Sequence, residues 1–101
     1  MAAHDMFLAM ILANAHREEA RGVMLAVEDA KSQIHMLLLD GSTQPLTAPP
    51  AEVMVKIIES LEQGQTEYRS AVFVAEIEQV DVQRSPTGMS ASISTWTITH
   101  T

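Results

Sequence analysis

Two pairs of closely spaced carboxylates, Glu59 with Glu62 and Glu76 with Glu78, are the residues here best suited to acid–base work or to holding a hard cation. Their setting points to a plainer role. Glu59 and Glu62 lie three apart near Lys56 on what reads as a helix surface, and Glu76 and Glu78 are polar alternates of an amphipathic strand, so both pairs look like solvated faces. The four histidines, His4, His16, His35 and His100, are scattered, without the i, i+4 pair that zinc proteases use. The four glycines stand singly at 22, 41, 64 and 88, whereas a phosphate-cradling loop needs several converging backbone N–H groups. The serines from Ser85 to Ser94 form no G-x-S-x-G elbow and read as the polar half of a strand. Cysteine is absent, which removes disulfides, thiolate metal sites and cysteine nucleophiles together. The expectation is a protein with no catalytic, metal or cofactor site.

Composition narrows the partners. Six Lys plus Arg against thirteen Asp plus Glu give a net charge of −7, so a nucleic-acid backbone would be repelled. The charges are spread along the chain, with no acidic or basic tail. Apolar residues make up 47% of the 101 residues and charged ones 19%, too hydrophobic for a disordered segment and the right size for one domain over 1–101. The longest apolar stretch, Met6 to Ala13, falls far short of the roughly 20 residues a membrane span needs. No basic start or small-residue cleavage site marks it as a signal peptide. With no cysteine and no insertion signal, the expected compartment is the cytoplasm.

The elements that would position these residues follow from periodicity. Asp5 is placed to cap a helix whose stripe is Phe7, Leu8, Ile11, Leu12 and Ala15, with Gly22 expected to end it. Val23, Leu25 and Val27 alternate as a strand, a polar turn spans Glu28 to Ser32, and Gln33 to Leu39 returns as a second strand. Asp40-Gly41 is a turn dipeptide, so Ser42 to Leu46 reads as a short edge strand bearing Pro45. Pro49-Pro50 leads into a second helix with Val53, Met54, Ile57, Ile58 and Leu61 inward and Gly64 at its end. Beyond it the period becomes two: Ala71 to Glu78, Val80 to Gln83, a Pro86-Thr87-Gly88 turn, and Met89 to Thr99 make an antiparallel meander. The class predicted is α+β, ordered α-β-β-β-α-β-β-β, with two helices on one face of a mostly antiparallel sheet of about six strands. Met10, Met24, Met36 and Met54 read as core fillers, although methionine also suits adaptable binding surfaces. Trp96 is out of phase with Ala91 and Ile93, and either covers the opposite sheet face or anchors a partner.

Four segments carry a family resemblance: Ala20-Arg21-Gly22-Val23-Met24, Leu38-Leu39-Asp40-Gly41, the proline-rich run Pro45 to Glu52, and Val80-Asp81-Val82-Gln83-Arg84-Ser85. In order and spacing, over most of residues 7 to 99, the chain resembles the small α/β domain that precedes the motor of type II secretion and type IV pilus ATPases. That family shows Ala-Ser-Asp-(Ile/Leu)-His after its first helix, alternating arginines running into Asp-Gly, a proline-rich lead to helix two, and a Val-Asp-Val-Arg strand. The resemblance implies a domain that helps complete a nucleotide site on the motor that follows it.

The departures matter as much. The family's Asp and His fall at Gly22 and Met24, and its strand arginine at Gln83, with Arg84 one residue late and therefore on the other face. The chain carries no phosphate loop and ends where the motor would begin, so the expectation is a relative without motor or nucleotide. The family's alternating arginines are replaced by Ile34, Met36 and Leu38, leaving a strand apolar on both sides apart from His35. Such a strand needs cover on both faces. The expectation is therefore a protein–protein interface of Ile34, Met36 and Leu38 with Val72, Val74 and Trp96, most simply a homodimer of stacked sheets. The competing explanation is a central core strand. The function implied is a non-catalytic interaction or regulatory module, with a secretion or pilus assembly ATPase or a neighbouring assembly protein as partner by resemblance. Two alternatives stand beside it: a small acidic homodimeric secretion chaperone, and a small enzyme using Glu76, Glu78 or Asp81 at a site built between subunits.

Overall fold

The computed structural model describes residues 3–100. Its elements run α1 (Ala3–Arg17), β1 (Gly22–Glu28), β2 (Lys31–Leu37), β3 (Thr43–Leu46), α2 (Ala51–Glu62), β4 (Glu67–Arg69), β5 (Phe73–Ser85) and β6 (Gly88–His100). The strands form one antiparallel sheet in the order β3-β2-β1-β6-β5-β4. This is the α+β class and element order that the periodicity predicts.

Both helices end by the same device. Glu19 N–H donates to His16 O and Ala20 N–H to Ala15 O after α1; Gly64 N–H donates to Leu61 O and Gln65 N–H to Ser60 O after α2. The residue that turns left-handed is Gly64 (φ +95°) in the second case, as expected, but Glu19 (φ +58°) in the first. Gly22, expected to end α1, instead opens β1. Asp5 lies within the first turn of α1 rather than at its cap, and accepts a hydrogen bond from Gln65 Nε2 at 2.8 Å.

The sheet departs from expectation in three places. The β1–β2 hairpin closes tightly at Glu28↔Lys31, with Asp29 (φ +50°) and Ala30 (φ +63°) as its two left-handed turn residues. The runs expected as two strands, 71–78 and 80–83, belong to the single strand β5, and the missing strand is the three-residue β4. Pairing of β5 with β6 shifts register between Ile77 and Val80, where Ile77 faces Trp96 but Val80 faces Ile93. Across that irregularity successive inward residues are three positions apart instead of two, Ile77 to Val80 and Ile93 to Trp96, so the inward phase flips along both strands. At the far end of the hairpin a side chain on Gly88 would come within 1.9 Å of Val27 O, which keeps this crossing open to glycine alone.

Packing buries one side of the sheet. Leu8, Ala9, Leu12 and Ala15 of α1 and Met54, Ile57, Ile58 and Leu61 of α2 join Val23, Leu25, Val27, Ala75, Ile77, Ala91 and Ile93 of the strands in a single core. Ser60 Oγ donates to Ile57 O at 2.6 Å and so accepts from Tyr68 Oη, also 2.6 Å away, which satisfies the tyrosine where β4 meets α2. Burial pushes the Tyr68 hydroxyl up to about 12, the Ser60 hydrogen bond opposing the shift and the Asp5 charge adding to it.

Candidate interaction surface

With both helices on one face, no described element covers the other face of the sheet, and register identifies what this bare face carries. Residues opposite one another in an antiparallel ladder share a face. One row therefore runs Pro45, His35, Met24, Ser92, Asp81 across β3, β2, β1, β6 and β5. The next runs Gln33, Ala26, Ser90, Gln83, and Leu37 lies opposite Gly22 on the other side of the first row. This face is divided. Over β3, β2 and β1 it presents Pro45, His35, Met24, Leu37 and Ala26 with the polar Gln33 at one end, Met24 being 36% exposed; over β6 and β5 it presents hydroxyls, Gln83 and Asp81. Gln83 Nε2 donates to Asp81 Oδ2 at 3.2 Å, and Thr95 Oγ1 donates to Gln79 Oε1 at 3.1 Å. Leu39, in the turn after β2, is 66% exposed beside the apolar half. The chemistry on offer is apolar contact on one side and hydrogen bonding on the other, which is the composition of a binding surface.

The residues expected to form one interface do not share a surface. Ile34 and Met36 are each 1% exposed and lie in the core under the helices, and Leu38 is half-buried against it. Trp96 is on the helix side as well, its indole Nε1 donating to Leu12 O at 3.1 Å. Its odd spacing from Ile93 reflects the phase flip at the β5–β6 irregularity, not the opposite sheet face. Only Val74, half-buried opposite Arg69 and Thr99, and Val72, in the exposed turn before β5, lie away from the helices. The expected phase of β2 was inverted: the outward alternates are Gln33, His35 and Leu37. The sequence signal for this was the two polar residues of the strand, Gln33 and His35, which mark the solvent side.

The other residues singled out are apart. Met36 and Met54 fill the core as expected, whereas Met10 and Met24 are at the surface. Glu62 is gripped by Arg84, whose Nε and Nη2 donate at 2.9 and 2.6 Å; this bidentate hydrogen bonding lowers the Glu62 carboxyl and raises the Arg84 guanidinium from their ordinary values. Glu76 faces Glu67 and Thr97 in the ladder, and Glu78 occupies the register irregularity. The turn carboxylate of Asp40 accepts from Ser42 Oγ and N–H, which holds it below its usual range. His100 meets Phe73 edge-on at 5.2 Å, and His4 reaches Asp5 at 3.4 Å. Among the described residues no three His, Asp or Glu side chains gather into a cation-binding group. No helix among them is long and apolar enough to cross a membrane.

No protein-family model matches this chain, and no curated protein matches it.

Proposed function

We propose that this chain is a non-catalytic protein-interaction module, related to the N-terminal domain of type II secretion and type IV pilus ATPases and docking on such an ATPase or a neighbouring assembly protein. One observation carries the interaction reading: the bare sheet face holds Met24, Leu37 and His35 together, with Leu39 at its margin, while the opposite face of β1, β2, β5 and β6 supplies the core beneath the helices. The relation to the ATPase family rests on the ordered segments Leu38 to Gly41, Pro45 to Glu52 and Val80 to Ser85. The test is calorimetric titration of this protein with a purified secretion-type ATPase motor. Wild-type protein should bind, and the folded double variant Met24→Glu, Leu37→Glu should bind at least about tenfold more weakly, as loss of a central apolar contact does. Absence of wild-type binding to such motors removes the ATPase as partner.

A further inference from the structure

The most unusual backbone feature lies at a strand edge. Natural sheets blunt their edges with short strands, prolines or charges. At one border β3 is four residues long and carries Pro45; at the other, β4 is only three residues long and covers β5 no further than Val74 to Glu76. Ile77 N–H still finds Thr66 O, but from Gln79 to Ser85 β5 pairs only with β6 among the described residues. Its outer edge over these seven residues offers backbone donors and acceptors to whatever lies beside it. Val80 and Val82 are half-buried there, at the margin of the core.

We propose that this edge pairs with the same edge of a second copy, antiparallel about a two-fold axis through Val82, to make one continuous sheet across a dimer. Three features select this occupant. The free stretch runs from Gln79, which sits within the register irregularity, to Ser85 just before Pro86, and an axis at Val82 pairs every residue of it. In that register Val82 meets its own copy, Asp81 lies opposite Gln83, Val80 opposite Arg84 and Gln79 opposite Ser85. No like charges oppose, whereas moving the axis one residue toward Asp81 would set that carboxylate against its own copy, and moving it one residue toward Gln83 would leave Gln79 and Val80 outside the ladder. Asp81 and Gln83 already hydrogen-bond within the chain at 3.2 Å, and the dimer lets the same two groups meet across the axis. A seven-residue ladder is about 24 Å long, which belongs with small, weak interfaces, so the dimer dissociates at micromolar concentrations. With −7 on each copy, added salt strengthens it. Both bare faces end on the same side of the extended sheet, so the dimer leaves the surface proposed above free and stands or falls separately from it.

The test is sedimentation equilibrium of the full chain over a micromolar to millimolar series, with Gln83→Asp and Gln83→Lys alongside. Gln83 is exposed, so both variants fold. Gln83→Asp opposes two carboxylates twice per dimer and should weaken association on the order of tenfold, while Gln83→Lys should tighten it by a similar or smaller factor. Amide exchange within residues 80–84 should slow as concentration rises. A monomer throughout the series overturns the proposal. So does a dimer indifferent to residue 83, one lost with Met24→Glu instead, or one whose 80–84 amides stay unprotected.

Discussion

The two faces of this sheet are built from the same strands, and each carries a methionine of the β1–β2 hairpin, yet they have opposite fates. On the covered face Met36 lies opposite Val23 and is sealed under the helices; on the bare face Met24 lies opposite His35 and is 36% exposed. Methionine at neighbouring rungs of one hairpin is core filler in one case and contact surface in the other. The lesson is that residue type does not assign role in a sheet; side does, because alternate residues are held on opposite faces and only one face receives the helices.

The comparison predicts a wide spread of effects. Met36→Glu should be the most damaging, costing more than about 4 kcal/mol by deleting core contacts and burying a charge without a partner, enough to unfold a small domain. A circular dichroism spectrum of the variant checks this; a folded variant would mean that the two faces have been exchanged. Next is the covered face's buried hydroxyl. Unfolded tyrosine releases its proton near 10, whereas Tyr68 holds its own to about 12. Between those values the folded state binds more protons than the unfolded one, so the contribution is whole below pH 10 and is lost as pH rises through 12. The loss is roughly 2–3 kcal/mol. Urea unfolding at pH 9 and pH 12 reads it, and Tyr68→Phe should flatten that difference while itself costing about 1 kcal/mol for the lost hydrogen bond.

Smaller effects come from the end of α1 and the β1–β2 turn. Ala30 and Glu19 are left-handed without being glycine. Ala30→Gly and Glu19→Gly should each stabilise by about 0.5–1 kcal/mol, seen as a raised thermal midpoint. Met24→Glu on the bare face should change stability by no more than about 0.5 kcal/mol, a surface value. Chemical unfolding of this variant beside Met36→Glu is the sharpest contrast the sheet permits.

Much of this architecture was legible from periodicity. The inward stripes of both helices, the edge strand with Pro45, the Asp40-Gly41 turn and the left-handed Gly64 all stand where their residue types require them. What was not legible has physical causes. Glu19 and Ala30 take left-handed conformations that their side chains disfavour, because the helix end and the two-residue hairpin demand them. The three residues Glu67, Tyr68 and Arg69 are too few to show alternation, and form a strand because Tyr68 is drawn into the core and bonded to Ser60.

The sequence by itself determined the order of elements, the positions of most turns and which residues share a side within each helix and each uninterrupted stretch of strand, since these follow from backbone preference and the periods of 2 and 3.6. Only the tertiary structure decided which side of β2 is inward, that 71–83 continues as one strand through a register irregularity, and that Trp96 joins the helix side. In the run 33–38 only Gln33 and His35 supply contrast, against Ile34, Met36, Leu37 and Leu38, and a phase flip depends on how two strands pair. Both questions are answered by partners distant in sequence, here α1 against Trp96 and β6 against β5.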